Sequence, residues 1–325
     1  MEKFSQFRDR GSGISPFIPI KTPSSALSKL PHTFLFLFRL PFFLTYVLAY
    51  FLVLHHLPLP VVARKLLLWG IMGIPGIWWV DLQIDGVKRG SLSQQPPERV
   101  PHPRSVIAAS FTSPIDALYL AAIFDPVFTV SFPGSRKVQH ISLLRAVLLA
   151  LSPAQFAPAP SSNLTDLRAL LDKYPDRVVA VFPECGTTNG KGVLPFSPSL
   201  LAVPADVKIF PVSMRYTPPD ITTPVPGAYG SFLWKLLSRP THCIRVRIAE
   251  GTLNTSKATT NGVSAHVDHV PSILGAESAG SDVTEEEQRV LDRIAEALAR
   301  LGRNKRVGLT LKDKAAFVKA WKGKK

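Results

Sequence analysis

Apolar residues form two kinds of pattern along this chain. Residues 34–54 are almost entirely apolar, with Arg39 as their only charge. This run is long enough for a helix that crosses a bilayer core, which needs about 20 apolar residues. Short apolar runs at residues 105–109, 178–182 and 207–212 are typical of buried strands. The pattern therefore predicts an apolar N-terminal anchor followed by a domain that contains a sheet.

Helix signals lie between the predicted strands. Ser113 is placed to cap a helix, with Pro114 at its first position and Asp116 at its third. Further helix patterns occur at residues 143–151 and 163–174, and residues 243–248 alternate apolar and Arg side chains, as in a half-exposed or edge strand. Strands that alternate with helices predict an α/β fold in which a mostly parallel sheet is flanked by helices.

A second apolar run, residues 66–80, is interrupted by glycines and Pro75 and contains Trp78 and Trp79 near its end. Tryptophans at a segment end suit the water–lipid interface. We interpret the two runs as a membrane hairpin, or as one span plus an interfacial segment. The alternative is a pair of buried core helices. Lysines and arginines outnumber acidic residues before the first run, which favours a cytosolic N-terminus.

The chain divides into five predicted regions. They are a basic N-terminal arm (1–32), a membrane anchor (33–80), a catalytic-type domain (81–251), a flexible Ser/Thr/Ala/Gly-rich insertion (252–283) and C-terminal helices with a basic tail (284–325). A capping box at residues 284–287 opens the last region. Its basic amphipathic tail suits either an anionic membrane surface or docking on the domain.

Charge narrows the choice of partners. The 325 residues contain 38 Lys+Arg and 23 Asp+Glu, a formal net charge of +15. Such a balance favours anionic partners. No zinc-ligand cluster, aromatic RNA-binding signature or heptad-bearing basic region accompanies it, so lipid headgroups or a phosphorylated substrate are favoured and nucleic acid is not. Two cysteines cannot form a disulfide framework and fit a reducing compartment.

Three short segments carry candidate chemistry, in the order 110–116 (SFTSPID), 182–192 (FPECGTTNGKG) and 210–212 (FPV). They resemble motifs of the PlsC-type glycerolipid acyltransferases, and residues 1–19 are similar to the opening of fungal members of that family. The resemblance implies acyl transfer from acyl-CoA, such as oleoyl-CoA, to lysophosphatidic acid, giving phosphatidic acid for glycerolipid and triacylglycerol synthesis. It implies acyl-CoA as co-substrate, no metal or other cofactor, and lysophospholipid and membrane lipid as partners; protein partners are left open.

The resemblance also implies a location and a catalytic pair. The location is the endoplasmic reticulum membrane, with the domain in the cytosol. A hairpin without a luminal domain also suits the surface of lipid droplets. The pair is a histidine that takes the proton of the acceptor hydroxyl and an aspartate, here Asp116, that orients it. Phe111 occupies the position of the histidine and cannot act as a base. His140 and the substrate phosphate are the candidate substitutes for this base, and a catalytically dead lipid-binding or recruitment protein is the alternative. Asp116 suits equally well the role of a carboxylate that stabilises a helix start.

The resemblance implies a substrate site in the loop that follows the second predicted strand in the sequence. Glycine N–H groups can approach phosphate oxygens closely, and a lysine adds charge. The expected substrate-binding residues are Arg136, Pro183, Glu184, Gly186, Thr187, Asn189, Gly190, Lys191 and Pro211. The alternatives are an ordinary turn for the loop and surface charge for Arg136. Cys185 is expected to be a small buried residue and not a nucleophile.

Overall fold

A computed structural model describes residues 2–23, 29–87, 96–160, 162–256 and 283–323. The helices are α1 Lys29–Leu52, α2 Val61–Gly73, α3 Pro114–Phe124, α4 Leu143–Leu149, α5 Leu167–Lys173, α6 Tyr229–Leu237, α7 Glu285–Gly302 and α8 Leu311–Lys322. The strands are β1 Ile77–Ile84, β2 Val106–Ala109, β3 Val127–Ser131, β4 Val138–Ile141, β5 Leu164–Thr165, β6 Val179–Val181, β7 Gly192–Val193, β8 Lys208–Thr217, β9 His242–Ile248, β10 Thr252–Leu253 and β11 Lys305–Arg306.

Nine strands form the main sheet, in the order β1-β9-β8-β2-β6-β3-β4-β5, and β10 pairs with β8. The four central strands β8, β2, β6 and β3 are parallel. Antiparallel pairs connect β8 to β9 and extend the sheet from β3 through β4 to β5. The predicted strand at residues 243–248 is half-exposed but does not lie at an edge, because β1 pairs with its outer side.

Helices cover both faces of the sheet. Along β2, Ile107 and Ala109 pack into one core, whereas Val106 and Ala108 pack into the other, as the period of two along a strand requires. Helices α1 to α4 and α6 contribute to the first core, and α5 and α7 contribute to the second. The predicted α/β fold, with helices flanking a mostly parallel sheet, is therefore confirmed.

The local helix signals are found where the sequence places them. The Ser113 side chain accepts the N–H of Ile115, and Asp116 completes a capping box at the start of α3. Thr284 and Glu287 form the same arrangement at the start of α7. These starts are encoded by residues within one turn of each other, so they need no distant contact to form.

The second apolar run does not form a second membrane helix. Leu68, Ile71 and Met72 of α2 are buried, and the rest of the run continues into β1, which pairs in parallel with β9. The hairpin prediction is wrong for this segment, and the anchor boundary at residue 80 falls inside the sheet. One helix in the described part of the chain, Lys29–His56, is long and apolar enough to cross a membrane.

The two ends of the chain pack together. Phe317 of α8 is fully buried, and its ring lies 5.3 Å from that of Phe7 and 6.1 Å from that of Phe17. Trp321 and Phe4 extend this aromatic cluster. Of the two interpretations of the basic tail, docking on the domain is the one observed. Most of the predicted flexible insertion, residues 257–282, lies outside the described residues, and Thr252–Leu253 belong to β10.

Candidate active site

The carboxyl ends of β2 and β6 meet at one edge of the sheet, and two of the candidate segments follow them directly. The segment after β2 contains Phe111 and Thr112, and the loop after β6 spans residues 182–192. The backbone N–H of Thr188 donates to the Phe111 carbonyl oxygen over 3.1 Å. The sequence motifs are therefore joined in space at the edge where parallel α/β sheets place their ligands.

Asp116 is fully buried beneath this edge. Its Oδ2 accepts the backbone N–H groups of Thr112, at 2.6 Å, and Ser113, at 2.9 Å, while Oδ1 accepts the hydroxyl of Tyr216 on β8. Burial raises the pKa of Asp116 to about 6, although these hydrogen bonds oppose the rise. Both carboxylate oxygens are thus engaged by the protein. In this geometry Asp116 fixes the turn that carries Phe111, and a catalytic role for its carboxylate stays a prediction.

Phe111 occupies the position of the expected histidine. Its ring stacks on that of Phe182 with the centroids 4.4 Å apart and the planes 26° from parallel. The side chain is buried and forms part of the wall of a pocket. The edge of the sheet therefore presents an aromatic surface where the motif would present an imidazole.

His140 does not face the candidate segments. It is an exposed residue of β4, and its ring packs 5.9 Å from that of Tyr174. Tyr174 packs against the second core, whereas Phe111 and Phe182 belong to the first. The His140 ring therefore lies on the other face of the sheet. The suggestion that His140 substitutes for the missing base is not supported by this placement.

Glu184 is buried in the loop after β6. Its Oε2 accepts the backbone N–H of Leu194 over 3.0 Å, and the backbone of Phe111 also hydrogen-bonds to the carboxyl group. Burial raises the pKa of Glu184 to about 8, and Lys314 opposes this rise. Glu184 therefore connects the two candidate segments and lies close to a lysine of the C-terminal helix.

The rest of the loop is held by the two ends of the chain. The Asn189 side chain donates to the carbonyl oxygens of Ser15 and Ile18, both over 2.8 Å. A Cβ at Gly186 would lie 2.7 Å from the Leu311 side chain, so a larger residue here would displace the end of that side chain on α8. In this structure Asn189 and Gly186 serve the packing of the chain termini, a role that the loop sequence did not indicate.

Two cavities open beside this edge. The inner pocket is mainly apolar and narrow, with an enclosed volume of about 30 Å³. Its walls include Phe111, Val130, Ala146, Leu149 and Phe182, with Gly186, Thr187 and Lys314 on one side. The second cavity is a wider groove of about 1400 Å³ including open space. We call it the basic groove because it carries Arg136, Lys137 and Lys312, beside Phe156, Leu194 and Phe196. Cys185 borders both cavities.

Cys185 is not placed as a nucleophile. Burial raises the pKa of its thiol to about 12, so the thiolate is scarce at neutral pH. Its backbone has a φ of +56°, a left-handed conformation that usually favours glycine. The residue therefore shapes the turn between the two cavities, and the expectation that it is not a nucleophile agrees with its environment.

Arg136 contacts a residue far along the chain. Its guanidinium binds the carboxylate of Glu287 through two hydrogen bonds of 2.7 and 2.8 Å. This arginine holds the pKa of Glu287 at about 2, well below its usual range. An anionic ligand in the basic groove would have to compete with Glu287 for Arg136. The placement of Arg136 at the groove was predicted, but its acidic partner was not.

This ion pair predicts a pH dependence of stability. The folded-state pKa of Glu287 is lowered, so its contribution is present above pH 4.5 and is lost as the pH falls towards 2. Because the Arg136 side chain is 39% exposed, we expect a contribution of only about 1 kcal/mol. Thermal unfolding at pH 7 and pH 3 should show a smaller acid-induced loss for Glu287→Gln than for the wild type. Glu286→Gln is the control, because Glu286 is an exposed residue of the same turn. An equal acid-induced loss of stability in the wild type and Glu287→Gln would contradict the prediction.

The expected site residues thus separate into two groups. Phe111, Arg136, Glu184, Gly186 and Thr187 border the two cavities. Asp116, Pro183, Asn189, Gly190, Lys191 and Pro211 do not line either of them. Sequence reasoning missed Tyr216 and Lys314, which approach from β8 and α8. A tyrosine and a lysine without a local motif give no signal that could have identified them.

Comparison with known proteins supports the resemblance drawn from the motifs. Residues 92–215 match the family model described as Acyltransferase. The chain is 27% identical over 331 residues to the Schizosaccharomyces pombe protein named "Putative lysophosphatidic acid:oleoyl-CoA acyltransferase", covering 98% of each chain. It is 24% identical over 202 residues to "Lysophosphatidic acid:oleoyl-CoA acyltransferase 1" of Saccharomyces cerevisiae, covering 61% of each chain.

Proposed function

We propose that this protein transfers an acyl group from acyl-CoA to lysophosphatidic acid, because residues 92–215 match the acyltransferase family model. The product is phosphatidic acid, a precursor for glycerolipid and triacylglycerol synthesis. Oleoyl-CoA is the donor to test first, since the relatives named above carry that donor in their names. The protein is then a 1-acylglycerol-3-phosphate O-acyltransferase.

The observation that carries this proposal is the junction of an apolar pocket and a basic groove at Cys185. The reaction brings together an apolar acyl chain and two phosphate-bearing molecules. Apolar walls suit the chain, and the cations of the basic groove, Arg136, Lys137 and Lys312, suit phosphate oxygens. Both cavities border the segment that follows β6, where the motif residues of the family lie.

The proposed reaction needs no redox cofactor or metal. The acceptor hydroxyl oxygen forms a bond to the thioester carbonyl carbon, and the carbon–sulfur bond breaks. The hydroxyl proton leaves the acceptor and ends on the sulfur of coenzyme A. A base near the inner pocket would accelerate the first step by about 10²–10⁴-fold.

The proposal includes attachment to a membrane through α1. One side of this helix packs on the domain through Phe43 and Tyr50, while the other side exposes large apolar residues, among them Phe34, Phe38, Phe42 and Leu48. Trp78 and Trp79 of β1 are also exposed, at 73% and 74%. Such a surface is larger than monomeric soluble proteins usually leave in water. The basic residues before α1 favour the cytosolic face of the endoplasmic reticulum or of lipid droplets.

A second candidate function is favoured by Phe111. Its phenyl group lies where the motif has a base, and it is locked against Phe182. A protein that has lost that base could retain the fold as a lipid-binding or recruitment module. Under this alternative the two cavities bind ligand, but no acyl group is transferred.

Measurement of acyl transfer by the full-length protein in detergent micelles decides between the two candidates. With labelled oleoyl-CoA, we expect phosphatidic acid to appear together with an equal amount of free coenzyme A thiol. Lysophosphatidic acid should exceed lysophosphatidylcholine and monoacylglycerol as acceptor, because only it presents a phosphate monoester to the basic groove.

A matched pair of variants tests whether the inner pocket is used. Ala154 borders this pocket, and Ala159 is exposed in the same loop. Ala154→Trp should lower the transfer rate about 100-fold by obstructing the pocket, whereas Ala159→Trp should not change it. If correctly folded wild-type protein gives no product with any of the three acceptors, the enzymatic proposal fails and the binding alternative takes its place.

A further inference from the structure

Lys314 is a buried lysine at the candidate active site. It lies on α8 and is only 2% exposed. Lysine is rarely buried to this extent unless its amine has a partner. Its side chain passes Gly186 and ends at the wall of the inner pocket. Among the residues that line this pocket, Lys314 is the one with an amine or imidazole nitrogen.

The hydrogen bonds of Lys314 leave room for one further role. Its Nζ lies 2.7 Å from the carbonyl oxygen of Thr187 and 3.0 Å from the Thr187 hydroxyl oxygen. That hydroxyl donates its own proton to the carbonyl oxygen of Thr223 over 2.7 Å, so it can only accept from Lys314. A neutral amine has two hydrogens and one lone pair. Both hydrogens are used by Thr187, and the lone pair remains available.

The electrostatic environment favours the neutral amine near physiological pH. Burial lowers the pKa of Lys314 to about 7, and the nearby Glu184 carboxyl group opposes the change. Burial also raises the pKa of Glu184, so both partners are shifted towards their uncharged forms. Cys185 borders the same pocket, and its raised pKa keeps it as the neutral thiol. The charge of Asp116 also raises the pKa of Glu184. On α8 itself, Lys312 borders the basic groove and Asp313 accepts from Thr310.

Phe111 and Lys314 border the same pocket from different parts of the chain. Phe111 follows β2 at the position where the family motif has histidine, whereas Lys314 reaches the pocket from the C-terminal helix. We propose that Lys314 is the general base of the transfer reaction and replaces the histidine that is absent at position 111. This inference rests on the proposed function.

The proposed step is balanced. The lone pair of neutral Lys314 accepts the proton of the acceptor hydroxyl as its oxygen bonds to the thioester carbonyl carbon. The ammonium group then returns this proton to the coenzyme A sulfur when the carbon–sulfur bond breaks. Thr187 holds Nζ during both transfers, and the amine is neutral again at the end of the cycle.

Three variants of the full-length protein test this role. Lys314→Met removes the base and nearly preserves the length of the side chain. Lys314→Arg keeps a positive charge and hydrogen-bond donors, but arginine cannot lose its proton in proteins. Lys319→Met is the control, since Lys319 is an exposed lysine of the same helix and borders neither cavity. We expect kcat to fall about 10²–10⁴-fold in both Lys314 variants and to be unchanged in Lys319→Met.

The pH profile separates a base from a structural lysine. For the wild type and Lys319→Met, kcat should rise with pH through an apparent pKa near 7, whereas the residual rate of Lys314→Met should lack this rise. A wild-type rate that does not rise between pH 6 and pH 8 would overturn the proposal without any variant. Full activity of Lys314→Arg would also overturn it. If the wild type and Lys314→Met transfer acyl groups equally well, Lys314 is not the base, but the proposed function stands. If the wild type is inactive with all acceptors, both the base assignment and the proposed function fail.

Discussion

Replacing Asp116 by alanine is expected to lower the free energy of unfolding by about 3–5 kcal/mol, because it leaves several buried hydrogen-bond donors without an acceptor. The donors are the backbone N–H groups of Thr112 and Ser113 and the hydroxyl groups of Thr112 and Tyr216. For a domain of this size, we expect the melting temperature to fall by roughly 10 °C. Thermal unfolding in the same detergent as the wild type measures the change.

Two conservative variants serve as controls for Asp116→Ala. Tyr216→Phe removes one donor and leaves the backbone contacts of Asp116 in place, so it should cost about 1–2 kcal/mol. Asp116→Asn retains one acceptor oxygen for the backbone N–H groups and should lie between Tyr216→Phe and Asp116→Ala. If Asp116→Ala unfolds at the wild-type temperature, these hydrogen bonds do not stabilise the protein, and the interpretation of Asp116 as a carboxylate that stabilises the start of α3 is wrong.

The lower stability of Asp116→Ala would also affect its acyl-transfer activity. A loss of acyl transfer in Asp116→Ala would follow from unfolding of the turn that carries Phe111, even if the carboxylate never contacts substrate. The transfer rate of this variant is therefore informative only below its own melting transition. A rate normalised to the folded fraction that equals the wild-type rate would exclude a direct catalytic role.

Replacing Phe317 by alanine is expected to destabilise the protein by about 3–5 kcal/mol, as is usual when a buried phenyl ring is removed. The ring packs against Phe4, Phe7 and Phe17 of the N-terminal segment and against Trp321 of its own helix. Its loss leaves a cavity between the two ends of the chain. Melting curves measure the cost, and limited proteolysis should cut both termini before the central domain.

The effect of Phe317→Ala should extend to activity. Phe317 and Lys314 lie on the same helix three residues apart, and α8 also packs on Gly186 of the loop after β6. Loosening α8 should therefore lower the transfer rate, although Phe317 borders neither cavity. The matched control is Phe38→Ala, because Phe38 is a 57% exposed residue of α1, and this change should alter stability by no more than about 0.5 kcal/mol. Equal melting temperatures for the two variants would contradict the prediction.

Much of the α/β domain could be predicted from short stretches of sequence. The apolar runs that became β2, β6 and β8 are buried strands in the structure, and the cap at Ser113 begins α3 where the sequence places it. Strand burial and helix capping depend on residues within a few positions of each other. The order of the motifs behind an apolar run was also sufficient to indicate the resemblance to acyltransferases, which the match of residues 92–215 to that family model supports.

The predicted membrane anchor shows where such local patterns are ambiguous. The run at residues 66–80 is apolar because α2 and β1 pack within the domain, and not because both lie in lipid. Burial in protein and burial in a bilayer select the same apolar side chains. Only the pairing of β1 with β9, about 165 residues further along the chain, distinguishes the two environments.

Local sequence patterns predicted four of the strands, the starts of α3 and α7, the family resemblance and the lack of a histidine at position 111. Only contacts between distant elements could show what surrounds that position. The tertiary structure tied Arg136 to Glu287, covered the glycine-rich loop with both chain ends, and brought Lys314 to Thr187 across 127 positions of sequence. Contacts between residues so far apart leave no periodicity or spacing in the chain, because they depend on how complete elements pack and not on the conformation of any one segment.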